Sequence, residues 1–544
     1  MLMRFLYILL LVSAVASAQN NNKSPVERPK LVVGLVVDQM RWDYLYRYYN
    51  RYAPDGGFKR LINQGFSCEN TFINYTPSYT ACGHTCIYTG SIPAIHGITG
   101  NDWYDYKKGK IVYCTDDSSV QGVGTNENAG KMSPKNMQVT TIGDELRLAT
   151  NFRSKVIGIA FKDRGGILPA GHSANAAYWY EGSSGNWITS TYYMKTLPQW
   201  VTDFNGKKLT DKYYKKGWNT LYPINTYSQS TSDEQEYEAR PLGADAKGFP
   251  YNLEQFAGKK FSAITSTPYG NSLTKDLAMA AVNAEQLGKD SITDFLAVSF
   301  SSTDYVGHAF GPNSVEAEDT YLRLDKDLGE FFRFLDEKVG KGQYLVFLSA
   351  DHGVAHVPGF ARQNKIPGGV IDFDSIIKPM DSLLKKKFGD HKFIIASENN
   401  QLSFDHHLLD SMKIDRNSFS KWIIDYLSQQ EGIDRVFEIA NVMNIPLANE
   451  IRMKVANSYY PSRSGDIEII FKSGWLGEGI RGTSHGSWNP YDTHIPLLWY
   501  GWKIKPGKTN RETYMTDIAP TLAGLLHIQM PSGCIGKVIS EVGE

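Results

Sequence analysis

Tyr344-Leu-Val-Phe-Leu-Ser-Ala-Asp351-His352-Gly353 decides how the rest of the chain is read: an apolar run of strand length that stops at a carboxylate, an imidazole and a glycine. Leu345–Leu348 is too short for a helix and rich in strand formers, the pattern of a strand covered on both faces of an α/β sheet. Open α/β sheets bind ligands beyond the carboxyl ends of their strands, which is where Asp351 and His352 fall. A carboxylate beside an imidazole suits a divalent metal such as zinc. For the dipeptide alone, a turn Asp capping the next helix beside a solvated His serves equally well, and other stretches shift the balance.

Leu31-Val-Val-Gly-Leu-Val-Val37 is a second such strand and runs straight into Asp38. A third, Asp294–Phe300, leads into Ser301-Ser-Thr-Asp304-Tyr-Val-Gly-His308. Asp304 and His308, four residues apart, share a face if that segment is helical. A single Asp after a strand is usually a cap; its repetition after three strands points to a shared site. The strand at 155–161 is followed by Lys162-Asp163-Arg164. Read as a continued strand, alternation aims Lys162 and Arg164 one way and Asp163 the other, making a cationic pair suited to a phosphate. The helix expected over 315–339 then returns the chain to the strand at 345 as a right-handed βαβ crossover.

Three more places supply reactive groups. In Pro77-Ser-Tyr-Thr80-Ala-Cys-Gly-His84, the proline breaks the chain and Ala81–Tyr88 can form a short helix, so Thr80 falls near a helix N-terminus. That end favours anions, including a phosphoryl oxygen or an ionised hydroxyl, while the usual job of a Thr there is a plain N-cap. Asn101 lies in the glycine-punctuated loop 95–103, and His485 follows Gly482 and precedes Gly486.

The chain has 544 residues, and its Lys+Arg and Asp+Glu counts are both 57. Its length exceeds the roughly 250–300 residues at which one simple core stops growing, and its zero formal net charge gives nucleic acid no claim as the specific partner. Residues 1–18 read as an export signal: Arg4 precedes the apolar run 5–12, and Ala16-Ser17-Ala18 offers a cleavage site after Ala18. The expected location is periplasmic or secreted, with no membrane span. Residues 19–29 read as a flexible leader and 30–544 as the catalytic domain, with a loop-rich insertion at 165–270 and a cap-like insertion at 357–476. Export makes Cys68, Cys82, Cys86, Cys114 and Cys534 disulfide candidates, and the odd count leaves at least one unpaired.

Laid out together, Leu35-Val-Val-Asp38-Gln-Met, Pro77–His84, Thr99-Gly-Asn101-Asp-Trp, Lys162-Asp-Arg164, Thr303–His308, Ala350–Gly353 and Ser484-His485-Gly resemble the alkaline phosphatase superfamily. The resemblance is strongest to its zinc-dependent bacterial phosphomonoesterases of the PafA type, with a type I phosphodiesterase/nucleotide pyrophosphatase-like fold. It implies an α/β fold with a central, mostly parallel sheet flanked by helices on both faces. It also implies two zinc ions per chain, one held by Asp304, His308 and His485 and the other by Asp38, Asp351 and His352 beside Thr80. Thr80 would be the nucleophile, passing through a covalent phosphothreonine, with Asn101, Lys162 and Arg164 on the transferred phosphoryl oxygens. Small phosphate monoesters are the implied substrates; a monomer is the expected state, which the sequence does not determine. A nucleotide pyrophosphatase/phosphodiesterase of the same superfamily would share the metal ligands and nucleophile but lack the cationic pair. A non-catalytic protein stabilised by zinc is the third reading, and the open ligand count and intact Thr80 oppose it.

Overall fold

A computed structural model describes residues 26–477 and 479–543, so the export signal and most of the leader lie outside the described residues. The central sheet has ten strands: β1 (Leu31–Val37), β2 (Phe66–Cys68), β3 (Gly122–Val123), β4 (Val156–Ala160), β5 (Ala176–Glu181), β6 (Asn186–Ser190), β7 (Asp294–Phe300), β8 (Tyr344–Ser349), β9 (Leu497–Gly501) and β10 (Gly507–Thr509). Their spatial order is β10-β2-β9-β8-β1-β7-β4-β5-β6-β3. The middle five, β8-β1-β7-β4-β5, are all parallel. β9 joins β8, and β6 joins β5, antiparallel.

Every residue of β1, β7 and β8 is buried, so both faces of the sheet are covered there. Runs rich in Val, Leu and Phe suit that environment, in which each side chain meets another element rather than water. β7 and β8 both pair with β1; α3 (Tyr269–Ala284) precedes β7, and the connection from β7 to β8 carries α4 (Ser302–Phe310) and then α5 (Val315–Leu335), which ends in a π-type turn at Asp336–Gly340. Ser314 caps α5 through its side chain, and Leu322, Leu324, Leu328, Phe331, Phe332 and Leu335 are buried.

Two sequence expectations need correcting. The stretch 165–270 contributes β5 and β6 to the central sheet; they read as loop because Ala-Ala-Tyr-Trp-Tyr-Glu lacks the aliphatic run of the other strands. The strand leading to Lys162 ends at Ala160, and Asp163 already begins α2 (Asp163–Ala170), so strand alternation does not set the directions of Lys162, Asp163 and Arg164.

Within 357–476, four strands form a separate antiparallel sheet, in the order Ile394–Glu398, Gln401–Phe404, Ile467–Phe471, Ile433–Glu438. They share an apolar cluster of their own, which includes Met380, Phe419, Ile423 and Ile467. All five cysteines are free thiols. No helix among the described residues is long and apolar enough to cross a membrane.

Candidate active site

Four adjacent parallel strands, β8, β1, β7 and β4, end side by side and deliver Asp351, Asp38, Asp304 and Lys162. Asp38 directly follows β1. Asp304 and His308 lie on α4 (Ser302–Phe310), which begins two residues after β7. Helix periodicity brings His308 Nε2 to 3.2 Å from Asp304 Oδ1. Asp38, Asp351 and His352 have no solvent exposure, and Asp304 is 3% exposed.

Thr80 is the first residue of α1 (Thr80–Thr89), with Tyr79 at the N-cap position and no side-chain cap. Its hydroxyl is therefore not used as a cap. Oγ1 lies 3.4 Å from His352 Nε2 and 3.4 Å from Lys162 Nζ. Asn101 supports the same helix start, its Oδ1 accepting a hydrogen bond from the Ala81 N–H at 3.1 Å.

Two groups of side chains lie within metal-binding reach of one another: Asp38, Asp351 and His352, and Asp304, His352 and His485. His352 belongs to both, and its ring stacks on His485 with centroids 3.4 Å apart. His308 adjoins the second group through Asp304. The donor set fits divalent cations on two further counts. Both carboxylate oxygens of Asp38 and Oδ2 of Asp351 are buried without a hydrogen bond, a costly arrangement that a cation relieves. Each histidine also turns Nδ1 to a backbone carbonyl: His308 to Thr483 at 2.7 Å, His352 to Gly353 at 3.0 Å and His485 to Ser78 at 2.8 Å. A carbonyl only accepts, so each Nδ1 carries the proton and each Nε2 presents a lone pair to the cluster, as ligating histidines do.

Charge is finely divided here. Asp38 is pushed well above the usual carboxylate range by burial and then by Asp351. Burial would also raise Asp304, but His308 and Lys162 outweigh it and hold it well below that range. Burial keeps His352 low and His485 well below the usual imidazole range. Lys162 Nζ lies 2.7 Å from Asp38 Oδ2, outside hydrogen-bond geometry, and 2.6 Å from Asp304 Oδ2. The lysine is thus seated among the carboxylates, next to Thr80.

Arg164 lies apart from that contact. Its guanidinium donates to the Tyr113 hydroxyl at 3.0 Å, and the same hydroxyl donates to Asp163 Oδ1 at 2.6 Å. Asp163 is therefore tied to Arg164 through Tyr113 rather than turned away from it. Arg164 Nε is buried without a partner.

Several functional residues escape a reading of the sequence. Gln39 donates its backbone N–H to Asp351 Oδ1 at 3.1 Å and its side-chain amide to Asp304 Oδ1 at 2.6 Å, bridging both groups from a backbone with φ of 66°. Nothing in the sequence signals that conformation. His84 lies one helical turn after Thr80, with Nδ1 2.9 Å from Thr80 O and 3.3 Å from Asp351 Oδ2, and Nε2 2.8 Å from Ser299 Oγ. Its spacing of four from Thr80 was the available signal. Cys82 is fully buried, its Sγ donating to Ile98 O at 3.3 Å, and burial pushes its thiol up, which makes it unreactive.

Comparison with known proteins agrees with this geometry. The chain is 56% identical over 518 residues to alkaline phosphatase PhoV of Synechococcus elongatus, covering 95% of this chain and 93% of that protein. It is 50% identical over 543 residues to alkaline phosphatase PafA of Elizabethkingia meningoseptica, covering 99% and 98%. The crystal structure of wild-type PafA superposes with a TM-score of 0.93 at 51% identity, covering 96% of this chain and all of that one. Residues 32–491 match the model of the type I phosphodiesterase / nucleotide pyrophosphatase family. On that match and those identities, the chain belongs to the type I phosphodiesterase / nucleotide pyrophosphatase family, on the side of its PafA-like alkaline phosphatases.

Proposed function

We propose that this chain is an exported, zinc-dependent alkaline phosphatase that hydrolyses small phosphate monoesters through a phosphothreonine at Thr80, working as a periplasmic or secreted monomer. The observation that carries the reading is Thr80 itself. Its uncapped hydroxyl sits at a helix N-terminus, within reach of Lys162 and His352 and beside three buried carboxylates. The relatives named alkaline phosphatases support the substrate class.

Asp304, His308 and His485 would hold one zinc ion, and Asp38, Asp351 and His352 the other; bound there, zinc supplies Lewis acidity that favours ionised oxygen on both sides of an in-line displacement. Thr80 Oγ1 forms the new P–O bond as the P–O bond to the alcohol breaks, and the alcohol leaves with a proton. Water then adds to phosphorus, the bond to Thr80 breaks, inorganic phosphate departs and Thr80 regains its proton. The positive end of α1 and the Lys162 ammonium favour the alkoxide of Thr80. Lys162, Arg164 and the Asn101 amide would offset charge on the non-bridging oxygens. The family name also covers phosphodiesterases, and the Lys162–Arg164 pair favours monoesters because a monoester dianion exposes one more charged oxygen.

Acid quenching during turnover of a radiolabelled aryl monophosphate should trap phosphate on Thr80, and turnover of the matched diester should be much slower. Thr80→Ser should keep substantial activity, whereas Thr80→Ala should lose the trapped species while retaining its metal. Phosphate trapped on another residue, or a diester turned over faster than the monoester, would refute the proposal.

A further inference from the structure

A cavity of about 210 Å3 lies beside the site, lined by His485 but by neither His352 nor Thr80. One wall is the loop 484–489; the other is the strand Ile467–Phe471 of the separate four-stranded sheet, with Trp475 beyond it. The route from nucleophile to cavity is short: Thr80 Oγ1 is 3.4 Å from His352 Nε2, and the His352 ring stacks on His485. In an in-line displacement the alcohol departs on the side opposite the attacking oxygen. Because the cavity meets the site at His485 and not at Thr80, it is placed for the departing alcohol rather than for the nucleophile.

The lining chemistry is aromatic with a few polar groups. Tyr79, whose ring lies edge-on to His485 at 5.7 Å, joins Phe373, Phe471, Trp475 and Trp488. The Trp488 indole N–H is buried with no hydrogen-bond partner among the described residues. Glu468, also on the wall, accepts a hydrogen bond from Gln401 at 2.8 Å. Burial pushes its carboxyl up to about 8, so it remains largely protonated at neutral pH and can itself donate. An apolar cavity of about 150 Å3 holds one benzene ring, so this one has room for a single substituted ring and not for a large fused system.

We propose that this cavity receives the leaving group of phosphate monoesters whose alcohol carries a planar aromatic ring, making Phe471 and Trp488 specificity-determining residues. The inference rests on the phosphatase reading of the site and assigns the insertion's sheet a direct part in substrate choice. Ring stacking against these side chains supplies the preference, and the Glu468 carboxyl meets polar ring substituents.

The test uses the zinc-loaded full chain with phenyl and methyl phosphates as substrates and phenylphosphonate and methylphosphonate as inhibitors. In the wild type, phenylphosphonate should bind about tenfold or more tightly than methylphosphonate. Phe471→Ala and Trp488→Ala should each bring that ratio toward one, while methylphosphonate affinity and methyl phosphate turnover stay close to wild type. Because inhibitor affinity is read as well as rate, the outcome does not depend on which step limits turnover. Trp488 also packs against neighbouring apolar side chains, so a misfolded Trp488→Ala would show as lost methyl phosphate turnover, leaving the wild-type ratio and Phe471→Ala to decide. Equal affinity of the two phosphonates in the wild type, or a ratio that survives Phe471→Ala, would overturn the assignment of the cavity alone. Failure of the wild type to hydrolyse either ester would sink the phosphatase reading and this inference with it.

Discussion

Lys162 and Arg164 are neighbours in sequence but differ in their physical situation. Lys162 is held between two buried carboxylates, so removing it takes the lysine cation from Asp38 and leaves Asp304 with only His308 and Gln39 in close contact among the described residues, a change that costs stability as well as rate. Arg164 rests on Tyr113, outside that carboxylate contact. Arg164→Ala should therefore slow monoester hydrolysis by roughly ten- to a hundredfold, the worth of one charge-assisted hydrogen bond, with a much smaller effect on diesters and little change in thermal stability. Lys162→Ala should produce a comparable or larger kinetic loss together with a lower Tm. Asp163→Asn should resemble a mild Arg164 variant, because Asp163 and Arg164 share the Tyr113 hydroxyl. Matched mono- and diester kinetics with thermal unfolding check all three; equal losses on both ester classes would show that Arg164 does not read the extra phosphoryl charge. The sequence placed these two cations at the end of β4 but misjudged how they are aimed, because it continued the strand through residue 164 where the chain turns helical at Asp163, and that turn reorients the side chains after it.

The elements were legible where burial makes a simple pattern. β1, β7 and β8 are mostly apolar and are followed within four residues by Asp, so the strands and the carboxylates beyond them could be read. The start of α1 was legible from Pro77 and the helix-compatible run after it. β5, β6 and the four-stranded sheet were not, since they are short, aromatic or half-exposed, and their pairing is decided by partners distant in the chain. The close approach of α1 to β8 was equally hidden, and it rests on Gly83. A Cβ there would lie 2.4 Å from Asp351 O and 2.7 Å from Asp351 Cβ, so the helix cannot sit at this distance with any other residue. Gly83→Ala should push α1 and Asp351 apart, costing about 1–3 kcal/mol of stability and lowering metal content and kcat/KM together. Unchanged metal content and rate would show that the contact has no role in assembling the site.

A second element carries a pH signature. Glu316, in the first turn of α5, has no solvent exposure, and its Oε2 lacks a partner while Oε1 accepts from Tyr251 at 2.5 Å. Glu238 also has an unpartnered buried oxygen. Burial raises both carboxyls, with Glu316 raising Glu238 further. A carboxyl raised in the folded state contributes stability at acid pH and loses it as pH rises through the raised value. Glu316→Gln removes the ionisation, so it should be close to neutral near pH 5 and raise Tm above wild type near pH 9. Thermal unfolding across that range measures it, and a Tm difference independent of pH would show that Glu316 does not ionise in the folded protein.

At the scale of the whole molecule, the sheet's connectivity concentrates negative charge: three strand ends bring Asp38, Asp304 and Asp351 into one buried cluster whose only cation in direct contact among the described residues, apart from the histidines, is Lys162. That cluster burdens the fold unless cations occupy it, because buried carboxylates without hydrogen bonds are costly. A cation bound only by the folded state stabilises it by RT ln(1 + [L]/Kd), about 2.7 kcal/mol at a hundredfold excess over Kd. Chelation should therefore lower Tm by several degrees and abolish activity, and added zinc should restore both, with about two ions per chain by elemental analysis. Asp38→Asn supplies the control. It weakens the bound state by removing a ligand and relieves the stripped state by removing a charge, so the difference in Tm between the two forms should narrow from both sides. A gap as wide in Asp38→Asn as in the wild type would mean that the metal stabilises the protein from somewhere other than these strand ends.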